Sequence, residues 1–186
     1  MDDNACSIRE KILKALEYSD SETRITRAER IEWLSLHSPT VPVVMGRAET
    51  LQLLEEAQQS FISGHFVAAL VVAMAFVEHG LIEELQFLGH IKGSPPFSAA
   101  LTVATEKKVF PSDWLARAKI LSLRRNPFAH LKPEGHGDTL GVRVRKEKEH
   151  PRAIMEADAK DAIDLMFNFF VATLREADFE NQATTA

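Results

Sequence analysis

Apolar residues recur at three- and four-residue intervals along most of the chain, whereas strand-like alternation occurs only briefly, in TLGVRVR at 139–145. The pattern predicts an all-α protein. Residues 7–18 (SIREKILKALEY) and 22–36 (ETRITRAERIEWLSL) predict two short amphipathic helices, the second entered through Ser19, Asp20 and Ser21 as a capping signal. The two prolines and the glycine of SPTVPVVMG then predict an extended linker that closes an N-terminal extension over residues 1–46.

A main helical body is expected over 47–178, followed by a tail over 179–186. Its first helix covers about 47–62, and after Gly64 a long helix covers about 65–88. On the long helix Phe66, Leu70, Ala73, Met74, Val77, Leu81, Leu85 and Leu88 follow the spacing of a buried stripe. GHIKGSPPF stops that helix, and a shorter one follows over 97–108. Ser112 is positioned to cap another that runs through DWLARAKILSLR. A charged, glycine-containing loop is expected over 132–151. The final helix, about 156–177, carries Ile163, Met166, Phe167, Phe170, Val171 and Leu174 on one face.

Composition narrows the class. The 186 residues suit one domain with an extension, and 45% hydrophobic with 26% charged residues is ordinary for a globular chain. Cys6 is the only cysteine, which excludes an internal disulfide framework and a multi-cysteine zinc site. The first ten residues, MDDNACSIRE, carry acids and no apolar run, so no secretory signal is expected and the protein reads as intracellular, in the cytoplasm. The longest apolar stretch, FVAALVVAMAFVEHGLIEEL, is interrupted by Glu78 and His79, and it reads as a buried helix, not a membrane span.

Net charge is −5, but it is unevenly distributed. Residues 117–148 contain nine Lys or Arg against three acids, a local charge of +6, which leaves −11 for the remainder. Such asymmetry suits a polyanion held at one face. Arg124, Lys132, Arg143, Arg145, Lys146 and Lys148 are the candidates for gripping an RNA backbone through its phosphates. That loop lacks aromatic residues on which bases could stack, and Trp33 and Trp114 are expected to anchor the core or an interface.

The chemistry concentrates in LRRNPFAHLKP, residues 123–133. Pro127 lacks an amide hydrogen and disfavours a helical Asn126, so the preceding helix is expected to end or kink near Arg125. Asn126 would then cap a new turn with Pro127 in first position, and its free amides would favour an anion such as phosphate. Arginine clamps phosphate oxygens and histidine titrates near neutrality, so Arg125 and His130 together meet two needs of RNA phosphodiester cleavage. His130 would move the proton of the ribose 2′-hydroxyl or of the leaving oxygen, and Arg125 would stabilise the phosphorane. On the long helix Glu78 falls among Val67, Val71, Ile82 and Leu85, where an isolated charge is costly, and Arg125 is its natural partner.

Arg125, Asn126 and His130, preceded by the long helix GHFVAALVVAMAFVEHGLIEELQ and followed by one amphipathic helix, resemble the HEPN superfamily. Nuclease members of that superfamily are helical bundles carrying R-x(4 to 6)-H, commonly with a polar residue directly after the arginine. The resemblance covers roughly 47–178 and implies an up-and-down helical bundle with metal-independent endoribonuclease activity. It also implies a homodimer that joins two motifs in one site. Arg125 and His130 match the catalytic pair, Asn126 the polar position, and Glu78 the acid that orients the arginine. Attack by the substrate's own 2′-hydroxyl would leave 2′,3′-cyclic phosphate and 5′-hydroxyl ends, and DNA would be inert.

Members of this kind commonly serve as toxins, some with a cognate antitoxin, as defence effectors or as RNA-processing factors. No cofactor is expected. His130, His136 and His150 lack the spacing of a metal site, and Cys6 lacks a basic partner in any recognisable motif. The rival expectation is a non-catalytic helical module that binds a protein, nucleotide or RNA and uses Arg125, Glu78 and His130 as a structural polar network.

Overall fold

The most apolar stretch of the chain becomes the centre of the molecule. In the computed structural model, which describes residues 3–39 and 48–174, the elements are α1 (Asp3–His37), α2 (Ala48–Ile62), α3 (Phe66–Phe87), α4 (Phe97–Lys107), α5 (Ser112–Ala129), α6 (Leu140–Glu147) and α7 (Pro151–Thr173). Among the described residues there is no strand, so the protein is all-α. Helix α3 packs most extensively on α7 and α2, and then on α5 and α4.

The expected stripe on α3 is buried from Phe66 through Leu85, whereas Leu88, just past the helix end, is 43% exposed. On α7, Ile163, Met166, Phe167 and Phe170 are buried, while Val171 is exposed. Rings join the layers: Phe76 meets Phe170 edge-on at 6.2 Å, and Phe110 stacks on Phe169 at 4.4 Å. Full burial of each large apolar side chain contributes roughly 1.5–3 kcal/mol. By length and composition alone α3 passes for a membrane-crossing helix, yet half of its most apolar window is buried inside the structure, as a core helix is.

The N-terminal part departs from expectation. One continuous helix, α1, replaces the two predicted at 7–18 and 22–36. The supposed cap at Ser19, Asp20 and Ser21 satisfies itself within the helix: Ser21 Oγ donates to the Tyr18 carbonyl, Thr23 Oγ1 donates to the Ser19 carbonyl, and Arg27 pairs with Asp20 at 2.9 Å. With no proline or glycine to stop it, the helix runs on. Its last turns join the bundle through Arg30, Trp33 and Leu34, with Trp33 5.2 Å from Phe61. Residues 40–46 of the predicted linker, the side chain of Cys6 and the tail from 175 lie outside the described residues.

Three more boundaries moved. Pro111, not Ser112, precedes α5, and no side chain caps it. The final helix begins at Pro151, with proline in the first turn and His150 Nδ1 accepting from the Arg152 amide at 3.2 Å, and it ends at Thr173. The 132–151 segment is not all loop. It contains α6, formed by the same TLGVRVR stretch whose alternation resembled a strand, because Arg143 turns inward to a buried acid.

Candidate active site

The break expected at Pro127 does not occur. Helix α5 continues through Asn126 and Pro127 to Ala129, and His130 is its C-cap in extended conformation, its amide donating to the Asn126 carbonyl at 2.8 Å. Proline is tolerated there because it lies in the last turn and removes only the bond to the Leu123 carbonyl, on an exposed stretch of helix. Asn126 is therefore no N-cap, and no fresh helix start offers its amides to a phosphate. The motif sits at the negative end of α5, where an anion must be held by side chains.

Arg125 projects from α5 toward α3, where its Nη2 lies 3.5 Å from Glu78 Oε2. The contact is long for a charge-assisted hydrogen bond. Both side chains keep some access to solvent, 19% for Arg125 and 29% for Glu78, and Arg125 Nε is buried with no hydrogen-bond partner. Glu78 also lines a groove of about 560 Å³ with His79, Ile82, Glu83, Gln86 and Ser94 to Pro96. His130 is exposed, and among the described residues no hydrogen bond or ion pair joins its side chain to Arg125 or Glu78.

Asn126 does not stand beside this pair. It lines a different groove, about 590 Å³ between α4 and α5, with Ser98, Thr102, Thr105, Ser122, Lys119 and Glu106 among the polar walls. The orienting role expected of Asn126 has no contact to carry it.

The basic segment divides in two. Arg143 is buried and bonds Asp158 through both terminal nitrogens, with Glu147 at 3.0 Å from its Nε. Its hydrogen bond to Asp158 raises its pKa above the usual arginine value, against the lowering effect of burial. Arg124 donates to the same Asp158 at 2.9 Å. Both were expected to grip RNA, and both are held instead by a carboxylate only 1% exposed. Arg117 is likewise clamped by Asp161 and Asp164; burial lowers its pKa, but hydrogen bonds to Asp164 and then Asp161 more than offset this and leave it raised. Three acids of α7 thus neutralise charge that looked free in the sequence. Among the described residues, Lys132, Arg145, Lys146 and Lys148 form no ion pair, and all but the half-buried Lys132 are exposed.

Asp158 escaped the sequence reading, although the argument used for Glu78 would have found it. It shares a helical face with Ile154, Ala162 and Leu165, and an acid on such a face demands a cation. His136 lies 3.7 Å from Asp138, and His150 caps α7, so two of the three weighed histidines have local roles. No group of three or more His, Cys, Asp or Glu able to hold a metal ion occurs among the described residues. No family model, curated protein or solved structure matches this chain.

Proposed function

We propose that the protein is a metal-independent endoribonuclease of the HEPN type, acting as a homodimer, with Arg125 and His130 as its catalytic pair. The observation that carries this reading is the incomplete satisfaction of Arg125. Among the described residues its one ion-pair contact is the 3.5 Å approach to Glu78, and its Nε has no partner, whereas Arg124 and Arg143 beside it bond the buried carboxylate of Asp158 directly. With one long contact, made from Nη2, the arginine keeps terminal donors for a phosphate.

His130 supports the reading by its exposure at the end of α5, where it is open to a substrate. Its lack of contact with Arg125 within one chain is consistent with a site completed by a second copy. Helix α5 offers a face for that copy: Ala116 and Ile120 are exposed, Leu123 is 42% exposed, and Leu131 just beyond the helix is fully exposed. Lys132, Arg145, Lys146 and Lys148 are the cations left to hold the RNA backbone. His130 would take the proton of the 2′-hydroxyl as that oxygen attacks phosphorus, or protonate the departing 5′-oxygen, while Arg125 stabilises the charge on the phosphorane.

The test is RNA cleavage in EDTA by wild type, Arg125→Ala and His130→Ala, on a single-stranded RNA and its all-deoxy counterpart. Cleavage of RNA alone, ending in 2′,3′-cyclic phosphate and reduced about 10²-fold or more in each variant, is expected. The burial of Arg125 against Glu78 favours one rival, a non-catalytic module in which the pair is structural. Equal inactivity of all three proteins across structured and unstructured RNAs would establish that rival.

A further inference from the structure

A second cluster of cationic groups lies at the start of α3, twelve residues from Glu78 and about 18 Å away along the helix axis. Helix α3 is entered through Gly64, at φ +75°, and His65, whose side chain makes no capping hydrogen bond. The first bond of the helix runs from the Ala69 amide to the His65 carbonyl, so the amides of Phe66, Val67 and Ala68 lack a helical acceptor, whereas those of Gly64 and His65 bond back to α2.

Two arginines converge on this turn. Arg30 of α1 is only 8% exposed, donates from Nη1 to the Ile62 carbonyl at 3.0 Å, and stands 5.2 Å from the Phe66 ring centre. Arg152, in the first turn of α7, stands 4.9 Å from the same ring. A Cβ placed on Gly64 would lie 2.8 Å from Arg152 Nη2 and 3.1 Å from Arg30 Nη1, so both guanidinium groups lie against this turn, whose φ itself favours glycine. Among the described residues neither arginine forms an ion pair with a carboxylate. Two acids, Glu29 and Glu156, line the adjoining cleft of about 140 Å³ with Arg30, and Glu156 is bonded there by Lys160 at 3.0 Å.

Elsewhere in this protein a buried arginine is met by an acid, as Arg143 is by Asp158. At Gly64 the nine-tenths-buried Arg30 guanidinium, bonded to the Ile62 carbonyl, lies beside the guanidinium of the exposed Arg152, and among the described residues no carboxylate is ion-paired to either charge. We propose that Arg30 and Arg152, with the first amides of α3, form a binding site for a phosphate group. Guanidinium forks and free helix-start amides are the donors that phosphate oxygens accept from. The site is separate from Arg125 and does not rest on the cleavage reading.

The experiment is thermal unfolding of the full chain in sodium phosphate and in sodium chloride at matched pH and ionic strength, for wild type, Arg152→Gln and Arg152→Glu. Phosphate is expected to raise the wild-type melting temperature in a concentration-dependent way. Arg152→Gln is expected to weaken the apparent phosphate affinity about tenfold. Arg152→Glu is expected to abolish the response while melting, in chloride, no lower than wild type, because the new carboxylate supplies the missing counter-charge. No phosphate response in wild type, or the same response in all three proteins, overturns the proposal.

One oligoribonucleotide in 5′-phosphate and 5′-hydroxyl forms identifies the source of the group. Tighter binding of the 5′-phosphate form, lost in Arg152→Glu, assigns the site to an RNA end. Equal binding alongside a positive phosphate response assigns it to free phosphate or a small nucleotide.

Discussion

Arg124 and Arg125 are neighbours on one helix and live in opposite circumstances. Arg124 reaches across to α7 and shares Asp158 with Arg143, in a knot whose carboxylate is 1% exposed. Arg125 reaches to α3 and meets Glu78 only at 3.5 Å, with one nitrogen unpartnered and both side chains partly open to solvent. The first arrangement ties both arginines to one buried carboxylate and joins α5, α6 and α7. The second holds an arginine in a fixed place and leaves it something to do. A shared, buried carboxylate fits a structural knot, and an incompletely satisfied arginine next to a groove is what the proposed catalytic role requires.

The strongest way to break this comparison is to remove Asp158. Asp158→Ala strands two guanidinium groups, one of them buried, and is expected to cost about 3–5 kcal/mol in stability, measured by urea unfolding. Glu78→Ala leaves Arg125 within reach of water and is expected to cost about 1 kcal/mol or less. Comparable costs at the two positions would show that both pairs are structural, and the distinction between them would disappear.

A crossed pair of variants sharpens it. Arg125→Ala is expected to reduce RNA cleavage about 10²–10³-fold per folded molecule while shifting the unfolding midpoint little. Arg124→Ala is expected to do the reverse, lowering stability with cleavage per folded molecule within a few fold of wild type. Cleavage lost equally in both would mean that the Asp158 knot positions the site, and that the motif acts as one unit with it.

How far this was legible in the sequence depends on which interaction decided each feature. The apolar stripes of α3 and α7 are local repeats, and they located the core correctly because burial follows spacing. Glu78 stood out as a lone acid on an apolar face, and the same physics brings it near Arg125. What failed depended on distant residues. Nothing near Arg143 or Arg124 in sequence announces Asp158 on another helix, so the segment 117–148 looked more basic than it is in space. Pro127 misled for a different reason. The rule that proline ends helices concerns their interiors, and a proline in the final turn gives up a single bond. The capping signal at Ser19 to Ser21 was equally ambiguous, because hydroxyls that cap a helix also bond backward within one.

The smallest expected effect is the most discriminating for His130. As the exposed C-cap of α5 it contributes its amide to the helix end, a bond that survives any side-chain substitution. Its side chain has no partner among the described residues, so His130→Ala is expected to change stability by about 0.5 kcal/mol or less, within the range of ordinary surface substitutions. A loss of several kcal/mol instead would give His130 a buried partner in the assembled protein, and the polar-network reading would then explain the motif better than catalysis does. A negligible stability change together with abolished cleavage leaves chemistry as the one role the side chain has.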